Sequence, residues 1–543
     1  MERTSPEQPG WLRMLLLTLL STIYLYFFLR VLFPVYDEGV VAYEAKCVAD
    51  GRIPYIDFFE FIAPGSFYWP AAWFKLFGMS FATLRCSLLV TGVATVLLID
   101  VISRRLFRRD NLYAESQTIC QSRTNGGFDT LPALYALFFG IPFWVSVSHH
   151  WDSNLLSFLA VLLFLRALDF ETPRRFFFVG VATGMVGAFM QQKGVFLFLA
   201  ELFMLGIFCI QRKQKLREVF IPAASLGAGF GLVVVAIGIF FFAKGGLSDL
   251  IFNLFIFPIK NYNHLNVVPY GFGLWEFLIP FWRDIASVLM PEPAAGIFTG
   301  IVLIPLFALV ALPVFCTLLL VVCFRYAKPA LVSKSFQTCL ILGITLWISE
   351  MHRKDYYHIL FAAPLLFTTT CYLLASLGDA FPRFVKNLLR LLFFSALLSG
   401  LFNVLPALTV TREQNTRQGS IRVSREEPML DFLRENCQEG EEVFFYPYSP
   451  MLYFLGNVKN PTRFNVLFYG FHPDEQMNEV VRELEQKKVR YIFWDAAIDA
   501  VRLKETFPNY VSPPKEKQVV EQFIEREYKL YKRCGSFRVM VRR

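Results

Sequence analysis

"VYDEGVVAYEAKCVADGRIPYIDFF", residues 35–59, follows directly on an apolar run, Trp11 to Phe33, that is long enough to cross a bilayer. Two adjacent carboxylates, Asp37 and Glu38, therefore stand where the chain returns to water. Two readings of them are open. Asp37 suits the N-cap of the helix that "VVAYEAKCVADG" predicts, closed by Asp50-Gly51. Alternatively the acids are reaction chemistry. Asp37 and Glu44 are seven residues apart, two helical turns, and so share one face of a helix lying along the membrane surface. Capping needs one small acceptor, whereas 34–60 gathers Asp37, Glu38, Glu44, Asp50, Asp57 and Glu60 against Lys46 and Arg52 alone.

Composition places the whole chain in a membrane. Of 543 residues, 55% are hydrophobic and only 18% charged, and mean hydropathy is +0.45. Soluble globular proteins carry closer to a quarter charged residues. The net charge of +9 does not point to nucleic acid, because Lys and Arg cluster in short loops between apolar runs with no aromatic-basic platform beside them. No nucleic-acid partner is expected. The run 11–33 has no small-residue cleavage site and reads as an uncleaved span.

Apolar windows predict a polytopic α-helical membrane protein with about eleven transmembrane helices. They lie near 11–33, 81–102, 130–148, 153–168, 176–190, 194–210, 219–243, 296–324, 336–349, 356–378 and 388–410. A twelfth apolar stretch, 61–78, is broken by Pro64, Gly65 and Pro70 and reads as interfacial or re-entrant. With the N-terminus in the cytoplasm, the inner loops hold "SRRLFRRD" (103–110), "PRR" (173–175), "QRKQKLR" (211–217), "RYAK" (325–328) and "PRFVK" (382–386). Each carries the Lys/Arg excess that cytoplasmic loops should carry. The outer face then holds 34–80, the long loop 244–295 and everything after about 411.

The chain divides accordingly into a membrane domain, 1–410, and an extracytoplasmic α/β domain, 411–543. In the latter, "EEPMLDFLREN" and "PDEQMNEVVRELEQKK" read as helices, and "EEVFFYPY", "VRYIFWD" and "SFRVMVRR" as strands. Its Cys437 and Cys534 are either a disulfide pair or two unrelated buried thiols.

No phosphate-binding Gly-Lys loop, zinc-protease helix or nucleophile elbow occurs. "GAGFG" (227–231) lies in a span and reads as a helix-packing surface. The outer turns supply what polar chemistry there is. "HHWDSN" (149–154) brings His149, His150 and Asp152; "MQQKG" (190–194) brings Lys193; "EMHRKDYYH" (350–358) brings His352, Arg353, Lys354 and His358. Interfacial anchoring is the plain alternative for such residues. Their gathering on one side favours function: a carboxylate base towards a hydroxyl or amine, and cations for a phosphate head group. A lipid-borne donor would also account for the missing nucleotide site.

The stretch from "DEGVVAYEAKCVADGRIPYIDFF" through "WFKLFG", followed by Arg85, resembles the first outer loop of the GT-C fold membrane glycosyltransferases. That group includes protein O-mannosyltransferases and lipid A aminoarabinose transferases. "HHWDSN", "QQKG" and "HRKDYYHILFAAP" resemble its outer turns more weakly, and Ala63-Pro64-Gly65 stands where many members have two prolines. The resemblance implies a hexosyl or pentosyl transferase using a polyprenyl-phosphate (undecaprenyl or dolichyl) sugar donor, with inversion. It implies Asp37 as the catalytic carboxylate with Glu38 as its support, and an acceptor that is lipid A or lipopolysaccharide, cell-wall glycan or protein. Charge and side, not motif, nominate Lys193, Arg353 and Lys354 for the donor phosphate. Glu44, Asp57, His149, His150, Asp152, His352 and His358 are candidates to line the acceptor cavity. No cofactor is demanded, though a divalent metal near the acids is compatible with the fold, its ligands unassigned. The expected location is the plasma (inner) membrane, with the C-terminal domain periplasmic; the lack of a usable N-x-[ST] sequon agrees with a prokaryotic membrane. The loop "NPTRFNVLFYGFH" (460–472) reads either as a lip over the cavity or as an ordinary domain loop. The rival function is a transporter or flippase of lipid-linked glycans. Against it, no internal repeat occurs and the acids lie in one outer loop rather than mid-span.

Overall fold

The most buried membrane helix is Tyr356–Ser376, which carries no Asp, Glu, Lys or Arg. The computed structural model describes residues 10–32, 36–113, 128–213, 215–410 and 412–543. In it, 83% of that helix's apolar window is buried, against 17% for Arg217–Ala243, so the first is central and the second peripheral. Its polar groups are satisfied internally: Thr368, Thr369 and Thr370 each donate to the carbonyl four residues back, at 2.7–2.9 Å.

The first half of the chain builds α1 (Gly10–Tyr26), α2 (Tyr36–Ala49), α3 (Gly65–Phe77), α4 (Phe81–Tyr113), α5 (Leu131–Phe139), α6 (His149–Phe170), α7 (Pro173–Phe189), α8 (Gln191–Gln211) and α9 (Leu216–Ala243). The second half adds α10 (Leu247–Ile251), α11 (Ile279–Leu289), α12 (Ala294–Val310), α13 (Leu312–Tyr326), α14 (Lys328–Val332), α15 (Lys334–Glu350), the central α16 (Tyr356–Ser376) and α17 (Pro382–Thr409). Among the described residues, α4, α6, α8, α9, α16 and α17 are each long and apolar enough to cross a bilayer, and the α12–α13 pair makes a seventh if counted as one span. The expected windows 11–33, 130–148, 176–190 and 336–349 hold helices of 17 residues or fewer.

Three local expectations change. The window 296–324 is not one straight helix: α12 and α13 meet at 67°. Pro313, in the first turn of α13, has no N–H to give the preceding turn. The basic stretch 103–110 is not a loop, since α4 runs on to Tyr113. Its first two arginines are paired: Arg104 bonds Asp100 at 2.9 Å and Arg105 bonds Asp169 at 2.7 Å. Asp37 is not an N-cap either, because α2 begins at Tyr36 and places Asp37 within its first turn. There its charge faces the positive end of the helix dipole. The Pro-broken stretch 61–78 carries α3, with Pro70 inside the helix. "GAGFG" is a packing surface through its middle glycine. A Cβ on Gly229 would lie 2.0 Å from the Phe177 carbonyl of α7, whereas Gly227 and Gly231 have no neighbour within 4 Å.

After residue 411, which lies outside the described residues, strands begin. A hairpin of β1 (Arg412–Thr416) and β2 (Gly419–Val423) pairs Arg412 with Val423. Arg422 then extends the ladder to the end of the first membrane segment: its N–H donates to Arg30 O at 2.7 Å, and Leu32 N–H donates to Arg422 O at 2.9 Å. Next come α18 (Pro428–Asn436), β3 (Phe444–Tyr446), α19 (Pro450–Leu455), α20 (Asp474–Lys487), β4 (Tyr491–Asp495), α21 (Ala500–Thr506), α22 (Val519–Glu527), β5 (Tyr528–Cys534) and β6 (Phe537–Arg542). The sheet order is β3-β4-β6-β5. Only β3 and β4 are parallel, so the chain needs the α19–α20 crossover between them. Met477, Val480 and Leu484 bury the apolar stripe of α20. Cys437 and Cys534 are both buried and unbridged.

This region packs directly on the first loop. Gly39 lies so close to α19 that a Cβ would meet Met451 N at 2.5 Å. Tyr43 stacks on Tyr453 at 4.9 Å and accepts from Asn460 N–H at 2.7 Å. The loop 460–472 is a joint rather than a free lip: Phe464 and His472 pack on Phe59, and Phe471 on Phe61. On its other side α2 is fixed by Glu38, fully buried, which pairs with buried Arg85 at 2.7 Å through two contacts and accepts from Val147 N–H at 3.1 Å. Removing one partner of such a pair strands the other charge. Arg85→Met should destabilise the fold by about 3–5 kcal/mol. Thermal unfolding in detergent measures this, and adding Glu38→Gln should restore a large part of the loss.

Candidate active site

Burying Glu38 turns its neighbour Asp37 outwards. Consecutive helical residues point about 100° apart, and the Asp37 side chain is exposed. The space it enters, the cleft, is bounded by the turn between α15 and α16, whose Arg353, His358 and Asp355 act on its charge. Desolvation by the surrounding protein raises its carboxyl above the ordinary range; Arg353 and His358 pull it down and Asp355 pushes it up. Tyr262, of the long 244–295 segment, has its phenol pushed up to about 12 by burial, with Arg353 opposing and Asp37 reinforcing. It therefore remains an O–H donor at neutral pH.

The far wall is built by a helix cap. Asp355 is the N-cap of α16, and its Oδ1 accepts from His358 N–H at 3.0 Å. The same oxygen lies 2.7 Å from His358 Nδ1, and Asp355 Oδ2 accepts from Arg353 Nε at 2.5 Å. Burial opposes ionisation of Asp355, but His358 and Arg353 outweigh it and hold the carboxyl below its usual range. Arg353 also donates to Asn266 Oδ1 at 2.9 Å and to the Thr506 carbonyl of the tail at 2.6 Å.

Deeper in the bundle, His358 adjoins a second cluster. His150 Nδ1 lies 2.9 Å from Glu350 Oε2, and Lys193 Nζ pairs with Glu350 Oε1. Lys193 is fully buried and donates also to Ser153 Oγ at 3.0 Å and Asn154 Oδ1 at 2.9 Å, so its three N–H groups are all engaged. His352 faces the cleft, its Nδ1 3.2 Å from Gln192 Nε2, with its ring parallel to His150 at 6.3 Å. Burial, reinforced by His358, pushes it down to about 3, and it is neutral at physiological pH. The His149 ring lies 4.0 Å from that of His150. One ligand atom each from His150, Glu350 and His358 fall within 4.8 Å of one another. Two imidazoles and a carboxylate are a donor set that zinc accepts, with a fourth position open.

The structure thus brings together Asp37, His149, His150, Lys193, His352, Arg353 and His358. The other nominated residues lie apart. Glu38 faces Arg85 inside the bundle, so its part is to orient α2. Asp152 is buried and accepts from Thr91 at 2.9 Å. Asp57 closes a tight turn by accepting from Ile53 N–H at 2.6 Å. Lys354 is exposed. Lys193 is not open to a phosphate, because Glu350 already neutralises it. Glu350, Asp355, Tyr262 and Asn266 are the site residues that sequence reading passed over. Glu350 and Asp355 bracket the basic cluster "MHRK", and that alternation of sign is the signal for them.

Glu44 faces the tail, where its Oε1 accepts from Asn465 at 2.9 Å. Its carboxyl neighbours that of Glu60, whose Oε1 accepts from Phe61 and Ile62 N–H. Desolvation raises Glu44 well above the carboxylate range, with the Glu60 charge adding to it. Desolvation likewise carries Glu60 up to about 7, against the pull of those two N–H groups.

No family model matches the sequence, and no curated protein matches it. A solved structure does match: the oligosaccharyltransferase of Archaeoglobus fulgidus, a crystal structure described as a complex with Zn and sulfate. It superposes with a TM-score of 0.53 over 96% of this chain and 72% of that one, at 14% identity. The chain has the GT-C fold. At that identity the likeness concerns architecture, and it agrees with the resemblance read from the first loop. In this GT-C chain the acidic loop, the α15–α16 turn and the tail converge on one cleft.

The Glu44–Glu60 pair gives the fold a pH dependence with a definite sign. Unfolded carboxyls release their protons near 4.5 and the folded Glu60 near 7, so the folded state holds more protons in between. Stability should fall as pH rises through that window, by up to about 1.4 kcal/mol per pH unit for one proton. Melting temperatures of wild type and Glu60→Gln from pH 5 to about 8 check it: the decline should flatten in the variant.

Proposed function

We propose that this GT-C protein is a membrane glycosyltransferase that moves a sugar from a polyprenyl-phosphate donor to an extracytoplasmic acceptor, with Asp37 as the base. The observation that carries the reading is the position of Asp37: an exposed carboxylate whose proton affinity desolvation raises, near an arginine with two N–H groups uncommitted. In the transfer, Asp37 takes the acceptor hydroxyl proton while that oxygen attacks the anomeric carbon. The carbon–oxygen bond to phosphate breaks with its electron pair on the phosphate, and attack from the opposite face inverts the sugar. Polyprenyl phosphate leaves. The reading keeps the topology of eleven crossings, a cytoplasmic N-terminus, and residues 411–543 as an extracytoplasmic domain of an inner-membrane protein.

Charge accounting supports one way of holding the phosphate. Among the described residues each buried Lys or Arg already faces a carboxylate: Lys46 with Asp50, Arg85 with Glu38, Lys193 with Glu350, Arg353 with Asp355. Three of the five Arg353 N–H groups are engaged. Two remain for a phosphate oxygen, and Lys354 is the exposed cation next to it in sequence. Asp37 is left as an uncompensated negative charge, so an anionic donor calls for one more cation. His150, Glu350 and His358 would hold a divalent ion such as zinc, which supplies positive charge towards the phosphate.

Asp37→Asn should lower transfer from a labelled polyprenyl-phosphate sugar by at least about 100-fold while the melting temperature stays put. Full transfer by that variant would overturn the base assignment. Elemental analysis of the purified protein should find about one divalent ion per chain, lost in His150→Ala with His358→Ala, and chelation should reduce turnover; equal activity in metal-free protein would remove the ion from the reading.

A further inference from the structure

Arg353 is held by three separate parts of the chain. Nε is fixed by Asp355 at 2.5 Å, Nη1 by Asn266 at 2.9 Å, and Nη2 by the Thr506 carbonyl at 2.6 Å. The Phe507 ring lies against the guanidinium at 5.1 Å from its centroid and packs behind on Phe468 at 5.6 Å. The segment around it is anchored twice more. Leu503 of α21 is buried in the tail core, and Asn509 Nδ2 donates to His264 O at 3.0 Å, beside the Asn266 that holds Arg353. Two of these restraints on Arg353, one carbonyl and one aromatic face, thus come from the tail, more than 150 residues away in sequence.

A guanidinium donates in its own plane. Whatever fixes that plane decides where the two uncommitted N–H groups point, and here the Phe507 face and the Thr506 carbonyl share that task with Asp355 and Asn266. We propose that the tail segment Ala500–Tyr510 is part of the donor-phosphate site, with Phe507 as the positioning residue for Arg353, and that polyprenyl phosphate and tail docking reinforce each other. The inference rests on the transferase reading, since Arg353 matters to it as the phosphate ligand. Reciprocity follows from linkage: if the docked tail strengthens phosphate binding, bound phosphate strengthens tail docking by the same factor. The tail is then a donor-dependent cover. It closes most firmly on the charged cleft when the phosphate is in place.

Hydrogen exchange tests this on the full chain in phosphatidylcholine nanodiscs, with undecaprenyl phosphate as the probe and undecaprenol as the uncharged control. The phosphate should slow exchange of the amides in 500–510 by about tenfold, the size of a partly desolvated cation–π contact, and undecaprenol should not. In Phe507→Leu that protection should vanish and the donor KM rise about tenfold with kcat little changed; Phe507→Tyr, which keeps the aromatic face, should behave as wild type. Protection at 36–49 and 351–358 without any at 500–510 overturns the inference alone. So does a Leu variant that matches wild type. If the phosphate protects neither region and wild type transfers no sugar, the transferase reading fails with it.

Discussion

The ion pair between Glu38 and Arg85 sets the geometry on which the rest depends. Neither charge can be left alone inside the bundle, so the first turn of α2 has only one acceptable rotation. With Glu38 turned in, Asp37 must face out into the cleft. Gly39, the next residue, is then forced against α19, where only hydrogen fits. Three consecutive residues thus address three surroundings: cleft, bundle and tail. The motif is compact because one helical turn has to satisfy all three.

The same rule of paired charge shapes the opposite wall. Lys193 holds Glu350, Arg353 holds Asp355, and each pair is completed by neutral partners, Ser153 and Asn154 for the first and Asn266 for the second. Of the cations that read from sequence as ligand-seeking, Lys193 is therefore spent within the fold and Arg353 keeps two N–H groups free. What the pairing leaves over, one unbalanced carboxylate and a few uncommitted donors, is where chemistry can occur. A site of this kind is defined as much by the charges it neutralises as by those it exposes.

Much of this was legible in the sequence, and the limits have physical causes. The first acidic loop stood out because six carboxylates gather beside a membrane segment, and the helices α18 and α20 and strands β3, β4 and β6 announced themselves by periodicity. The hairpin β1–β2 did not, because "REQNT" and "GSIRV" carry no clear alternation and gain their ladder partly from Arg30 and Leu32, 390 or so residues earlier. The span 296–324 looked continuous since hydropathy sums over a window and is blind to the missing N–H of Pro313. Glu350 and Asp355 were visible as letters, but which carboxylate meets which cation depends on the packing of α6, α8 and α15 against α16. No local pattern encodes that. Likewise nothing in "TFPNY" advertises that Phe507 will rest on Arg353.

Asp355 shows how economical the cleft is. One of its oxygens starts α16 by accepting the His358 amide and also lies on the His358 ring, while the other fixes Arg353. The beginning of the central helix and the orientation of His358 and Arg353 are therefore a single set of bonds. Ser or Asn in that position would keep the cap and forfeit the charge; Glu would keep the charge and misplace it. Drift at this position is consequently constrained from two directions at once, so a lineage with this fold could lose this arrangement of Arg353 and His358 only by also finding another way to begin its most buried helix.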